Sequence, residues 1–206
     1  MKKHLLASTL GLVFAATSAT AAASGAGSWD LKFGLANVNP KSDNGALAGG
    51  TLRAKVDSDT KPIIGFGYWL TDNIQLDVLG AIPFKHDVTL NGADAASLRH
   101  LPPTISLQYH LAPNGAFCPF IGVGVNYTMI YDEKTRGPLG GTRLTLDNSF
   151  GFAAQVGAEF KVADQWALAA DVRWIDIDTK AKVNGASVGT VNVDPIVVSA
   201  YLVYSF

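Results

Sequence analysis

The stretch SFGFAAQVGAEF, residues 149–160, alternates without a break. Phe150, Phe152, Ala154, Val156, Ala158 and Phe160 fall on one side. Ser149, Gly151, Ala153, Gln155, Gly157 and Glu159 fall on the other. A period of two marks a β-strand, because successive side chains leave a strand on opposite faces. The second face decides the architecture. A strand of a soluble sandwich turns a charged face to water. Here that face is small and mildly polar, which suits the interior of a narrow barrel whose bulky face meets lipid.

Seven more runs repeat the pattern. Trp29, Leu31, Phe33 and Leu35 alternate with Asp30, Lys32, Gly34 and Ala36. Ile64, Phe66, Tyr68 and Leu70 alternate with Ile63, Gly65, Gly67 and Trp69. Ile74, Leu76, Val78 and Ile82 oppose Gln75, Asp77, Leu79 and Ala81. Ile105, Leu107 and Tyr109 oppose Thr104, Ser106, Gln108 and His110. Ile121, Val123, Val125, Tyr127 and Met129 oppose Cys118, Phe120, Gly122, Gly124, Asn126 and Thr128. Trp166, Leu168, Ala170, Val172 and Trp174 oppose Ala167, Ala169, Asp171 and Arg173. Ile196, Val198, Ala200, Leu202, Tyr204 and Phe206 oppose Val197, Ser199, Tyr201, Val203 and Ser205. The connections alternate too: long at residues 85–100, 132–144 and 179–192, short at 71–73, 111–116 and 161–165. Together these features predict an all-β fold, an eight-stranded antiparallel transmembrane barrel with long extracellular loops and short periplasmic turns. Eight strands leave a bore barely wider than its own side chains. The inward charges Asp30, Lys32, Asp77, Glu159, Asp171 and Arg173 are therefore expected to pair, since an unpaired charge is costly in so confined a space.

The N-terminus reads separately. Lys2, Lys3 and His4 precede an apolar run from Leu5 to Ala16, then small residues that offer a cleavage site. Residues 1–23 are predicted to be a signal peptide, and 24–206 the outer-membrane barrel. Removing Lys2 and Lys3 lowers the basic count from 16 to 14 against 17 acidic residues, so no basic surface suggests nucleic acid. Cys118 is the only cysteine, which rules out an internal disulfide and a cysteine-cluster metal site. No later apolar run reaches the length of a spanning helix, so closure into a barrel is the remaining way to satisfy every backbone group in lipid.

The segments KVDSDTKPIIGFGYWLTDNIQLDVLGAIPFKHDV (55–88), LPPTISLQYHL (101–111), PFIGVGVNYT (119–128), NSFGFAAQVGAEF (148–160), DVRWIDIDTKA (171–181) and VDPIVVSAYLVYSF (193–206) resemble the outer membrane protein W family. The resemblance runs in register over nearly the whole mature chain. It implies an integral outer-membrane barrel of a Gram-negative bacterium and an association with passive uptake of small hydrophobic molecules. It also implies a terminal aromatic strand, ending at Phe206, of the kind read by the barrel-assembly machinery. Some members serve as colicin receptors. Phe150 and Ile196 stand where tryptophan is common in the family, and Cys118 where a basic residue is frequent.

Three prolines interrupt this pattern. The third run ends AIPFKH and the fourth begins LPPT, so Pro83, Pro102 and Pro103 cluster at the outer ends of two neighbouring strands. Proline donates no ladder hydrogen bond. The expectation is a lateral seam, through which a hydrophobic solute leaves an apolar upper lumen for the bilayer. Inward Trp69, Phe120 and Ile130, with Leu101 near the seam, are the candidates for lining that path. The bland alternative is that the prolines merely mark strand ends above the membrane. A second functional reading is a non-transporting, structural or stress-related barrel whose outer loops bind partners.

No enzyme activity, cofactor or metal is expected. The partners expected are outer-membrane lipids and small hydrophobic solutes, with the protein a monomer or weak oligomer. His86 and His100 could meet across the second outer loop, but nothing places a third ligand beside them. Ser106 and His110 share the inward face four residues apart, roughly 13 Å at the strand rise, beyond hydrogen-bond reach.

Overall fold

The computed structural model describes residues 25–206; the predicted leader, residues 1–23, lies outside the described residues. In chain order the strands are β1 (Trp29–Asn39), β2 (Ala46–Leu47), β3 (Leu52–Val56), β4 (Asp59–Trp69), β5 (Ile74–Ala81), β6 (Phe84–Leu90), β7 (Ala93–Leu101), β8 (Thr104–His110), β9 (Phe117–Thr135), β10 (Leu144–Leu146), β11 (Ser149–Ala163), β12 (Trp166–Ile175), β13 (Asp178–Val183), β14 (Ala186–Asn192) and β15 (Ile196–Ser205). A short 3-10 turn spans Gly137–Leu139. Eight of them close a ring, β1–β4–β5–β8–β9–β11–β12–β15 and back to β1, every pair antiparallel. These eight are the runs read from the sequence.

The outward face is the bulky one. Phe150 and Phe152 are each 68 % exposed, and Val123 is 67 % exposed. A water-soluble monomer rarely shows so continuous an apolar belt. At the rim of the short turns, Trp29 packs on Tyr68 at 4.7 Å and Trp166 on Tyr204 at 4.8 Å, forming an aromatic girdle. Short turns mark the periplasmic end, so both ends of the described chain lie there.

Inside, glycines make room for charge. Gly34, Gly67, Gly122 and Gly157 sit on inward positions where an added Cβ would run into Tyr201, Gln75, Gln155 and Phe120 respectively. At Gly34 the obstacle includes the Ala200 carbonyl, so even the smallest side chain would push β1 from β15.

The long connections differ from expectation. They are long, and they also carry strands that continue the wall outward. β6 and β7 form a hairpin turned at Asn91–Gly92, and β13 and β14 one turned at Asn184–Gly185; all four residues have positive φ. Asn-Gly is the dipeptide a tight hairpin turn favours, and both pairs stood in the sequence. Alternation between these turns is weaker than in the membrane strands, which masks the hairpins in the sequence.

Candidate functional site

The interior divides into two compartments of opposite chemistry. The periplasmic half holds a polar plug. Lys32 Nζ donates to Asp77 Oδ1 at 2.7 Å and to Gln75 Oε1 at 2.8 Å. Asp30 accepts from Gln75 Nε2 at 2.5 Å, Trp69 Nε1 at 3.0 Å and Ser205 Oγ at 2.6 Å. Arg173 Nη2 lies 3.6 Å from Asp77 and 3.5 Å from Asp171, and the Tyr201 hydroxyl donates to Asp171 at 3.3 Å. Lys32, Asp30, Asp77, Asp171 and Arg173 are all buried. The expected internal network therefore forms, with one exception. Glu159 is buried but makes no ion pair within 4 Å among the described residues.

The outer compartment is apolar. Its walls are the hairpins β2–β3, β6–β7 and β13–β14, with β9 and β10. They enclose a chamber of about 260 Å³. Leu47, Leu52, Ala54, Val56, Val88, Leu90, Ala96, Leu98, Ile130, Leu139, Leu144, Leu146, Ile177, Ala181, Val183, Val188, Val191 and Val193 line it, and only Thr128, Thr179, His86 and His100 interrupt the aliphatic surface.

The two histidines meet, as the sequence allowed. Their Nε2 atoms lie 2.8 Å apart, and His86 Nδ1 is 2.6 Å from the Asp57 carbonyl. A carbonyl only accepts, so Nδ1 of His86 carries a proton, its Nε2 accepts, and His100 Nε2 donates. Burial holds the His86 imidazole below its ordinary range. Burial and then the neighbouring His86 push His100 down to about 3. Both rings are thus neutral at physiological pH. Phe84 packs beneath them, 5.5 Å from the His100 ring centre.

The candidates from the sequence separate between the compartments. Ile130 lines the apolar chamber. Trp69 and Phe120 face inward and are fully buried, but they lie at the periplasmic end. Trp69 bonds Asp30 and packs at a tilt against His110 at 4.5 Å; Phe120 stacks on the same ring at 5.1 Å. Their depth in the upper lumen is therefore corrected. Alternation gives a residue's face, while its distance from a short turn gives depth, and both residues stand next to short turns. Leu101 is half-buried and is not part of the chamber lining. His110 approaches Gln108 and Cys118, not Ser106.

Pro83, Pro102 and Pro103 stand where the wall changes. β8 and β7 are one strand interrupted by Pro102–Pro103. Against β9 the register passes through unbroken, from Thr104↔Asn126 to Leu101↔Met129. Pro103 gives its carbonyl to the Tyr127 N–H at 3.1 Å. By alternation Pro102 turns its missing donor the other way, toward β5. There the ladder stops at Leu79↔Thr104 and resumes only at Phe84↔His100. Residues 80–83 face 101–103 across a gap without ladder pairing. The Pro102 carbonyl is taken up locally by the Thr104 hydroxyl at 3.2 Å. Chamber residues His100 and Thr128 adjoin the gap from within.

Among the described residues, Asp176, Asp178 and Asp194 bring carboxylate oxygens within 4.8 Å of one another. Lys41 Nζ already occupies Asp194 at 2.7 Å.

Comparison with known proteins agrees with this architecture. The model of the OmpW family matches residues 25–206. Outer membrane protein W of Vibrio cholerae is 35 % identical over 182 residues, covering 84 % of each chain. The crystal structure of the outer membrane protein OprG from Pseudomonas aeruginosa superposes with a TM-score of 0.78 at 32 % identity, covering 88 % of this chain and 97 % of that one. The NMR structure of outer membrane protein AlkL in lipid bilayers gives a TM-score of 0.67 at 25 % identity, covering 96 % and 97 %. A closed eight-stranded barrel with a lipid-facing belt, matched over its described length, places the chain in the bacterial outer membrane and shows that it belongs to the OmpW family.

Proposed function

We propose that the protein is a passive route for small hydrophobic molecules, which enter the apolar chamber from outside and leave sideways into the bilayer. The observation that carries this reading is the juxtaposition of an aliphatic chamber with an unpaired stretch of wall, above a buried polar network. A hydrophobic solute gains about 25 cal/mol for each Å² of its surface removed from water. It would forfeit that gain among the buried charges of Lys32, Asp77, Asp171 and Arg173. Exit past Phe84 through the gap between residues 80–83 and 101–103 keeps it in apolar surroundings throughout. No energy source is needed, because transfer from water to lipid is downhill.

The test restores the ladder. Replacing Pro102 and Pro103 with alanine returns two N–H donors, of which the one at 102 faces β5. Uptake of an apolar fluorophore into vesicles carrying the variant is expected to fall below that of the unmodified protein. Unchanged flux would remove the gap from the mechanism.

A further inference from the structure

We propose that the outward face of β6, β7 and upper β9 docks the phosphate groups of the acylated glycolipid of the outer leaflet. Lys85 and Arg99 are direct partners in the β6–β7 ladder, and both side chains point away from the chamber. Arg99 is also the ladder partner of Tyr131 on β9. Tyr131 is the last of the outward apolar series Val123, Val125, Tyr127, Met129 and Tyr131, and Asp132 follows it. The basic pair therefore stands where hydrocarbon gives way to headgroups.

Two like charges directly opposed weaken a ladder. The neighbourhood does not neutralise them. Arg99 Nε reaches Asp132 at 3.4 Å, but Lys134 Nζ shares that same carboxylate at 3.3 Å. Lys85 Nζ has no carboxylate within 4 Å among the described residues. Asp59 accepts the Lys85 backbone N–H, yet its charge is matched by Lys61 at 2.8 Å. Asp87 is held by Arg136 at 2.8 Å. Asp132 is thus shared by Arg99 and Lys134, and Lys85 is left, among the described residues, without a carboxylate partner on the outward face.

A phosphate meets this arrangement. A guanidinium offers two parallel N–H donors to phosphate oxygens, and the ammonium beside it supplies a point charge. Toward the membrane along the same two strands lie exposed Ile82, three residues from Lys85, and Ile105, six residues from Arg99, on which acyl chains of the same molecule would rest. That continuity of cation and apolar surface favours an acylated phosphate over a free one. The lipid so held would lie against the unpaired stretch of wall.

The test uses the folded full barrel in nonionic micelles, with diphosphoryl lipid A as the probe and native mass spectrometry as the readout. The double variant Lys85→Gln/Arg99→Gln is expected to bind lipid A about thirtyfold more weakly, and Arg99→Gln alone about fivefold more weakly. Without lipid, the double variant should unfold at the same temperature as the unmodified protein or a higher one, because a repulsion has been removed. Lys182→Gln, at a paired lysine of β13, should leave lipid binding unchanged. Equal binding by the double variant would overturn the proposal. So would equal binding of dephosphorylated lipid A, or displacement of lipid A by inorganic phosphate at millimolar concentration.

Discussion

A series of linear alkanes probes the chamber directly. An apolar cavity of about 150 Å³ admits benzene, with its six carbons. At the same carbon density, a chamber of about 260 Å³ holds roughly ten carbons. Each buried methylene contributes about 0.8 kcal/mol, which is close to fourfold in affinity. Affinity should therefore climb roughly two hundredfold from hexane to decane and then level off. The assay is displacement of a polarity-sensitive fluorophore from the protein in lipid nanodiscs. Free alkane is fixed by headspace equilibrium, and empty nanodiscs supply the blank. A plateau near ten carbons would tie the affinity to this chamber. A flat series, or one still rising at the same slope beyond about fourteen carbons, would refute the reasoning, because the volume would not be setting the limit.

Three further outcomes are expected. His100 is pushed down to about 3 from an ordinary 6.5, so between those values the folded protein binds fewer protons than the unfolded one. Its contribution to stability is intact above pH 6.5 and is lost progressively on acidification toward about 3; amide exchange in β6 and β7, corrected for intrinsic chemistry, should quicken on acidification, and His100→Phe should flatten that response. Lys32→Met leaves Asp77 with Arg173 alone, 3.6 Å away, so urea unfolding in micelles should show a loss of about 3 kcal/mol, while apolar uptake persists because the chamber lies elsewhere. Gly34→Ala drives a Cβ into the Ala200 carbonyl at the closing seam of β1 and β15, and the heat-dependent gel mobility of a closed barrel should be lost.

The barrel was legible because lipid imposes a strict rule on every membrane strand. Phe150 and Phe152 could only face out, and Gln155 and Glu159 only in. The plug followed from the same rule, since Lys32 and Asp77 share the inward face of strands that both border β4 in the ring. An apolar upper lumen was expected, but of the chamber's lining only Ile130 was legible. Leu47, Leu90, Leu98, Leu146 and Val191 come from five strands distant in sequence, and their convergence depends on how the hairpins lean on one another. The Asn-Gly turns announced two of those hairpins, but no local pattern announces their packing. The prolines stand beside the stretch of wall that lacks ladder pairing. What they could not reveal is that β9 keeps its register past them, so that the missing pairs fall on the β5 side.

The central claim is that solute leaves through the wall between residues 80–83 and 101–103. Ile82 and Leu101 border that gap from opposite strands, and neither is proline. Ile82→Cys/Leu101→Cys, in a chain whose native thiol is removed by Cys118→Ala, allows the gap to be bridged by oxidation and reopened by reduction. Uptake of an apolar fluorophore should drop to the level of protein-free vesicles when bridged and return when reduced. Equal uptake in the two states, with the bridge verified by gel mobility, would contradict lateral exit.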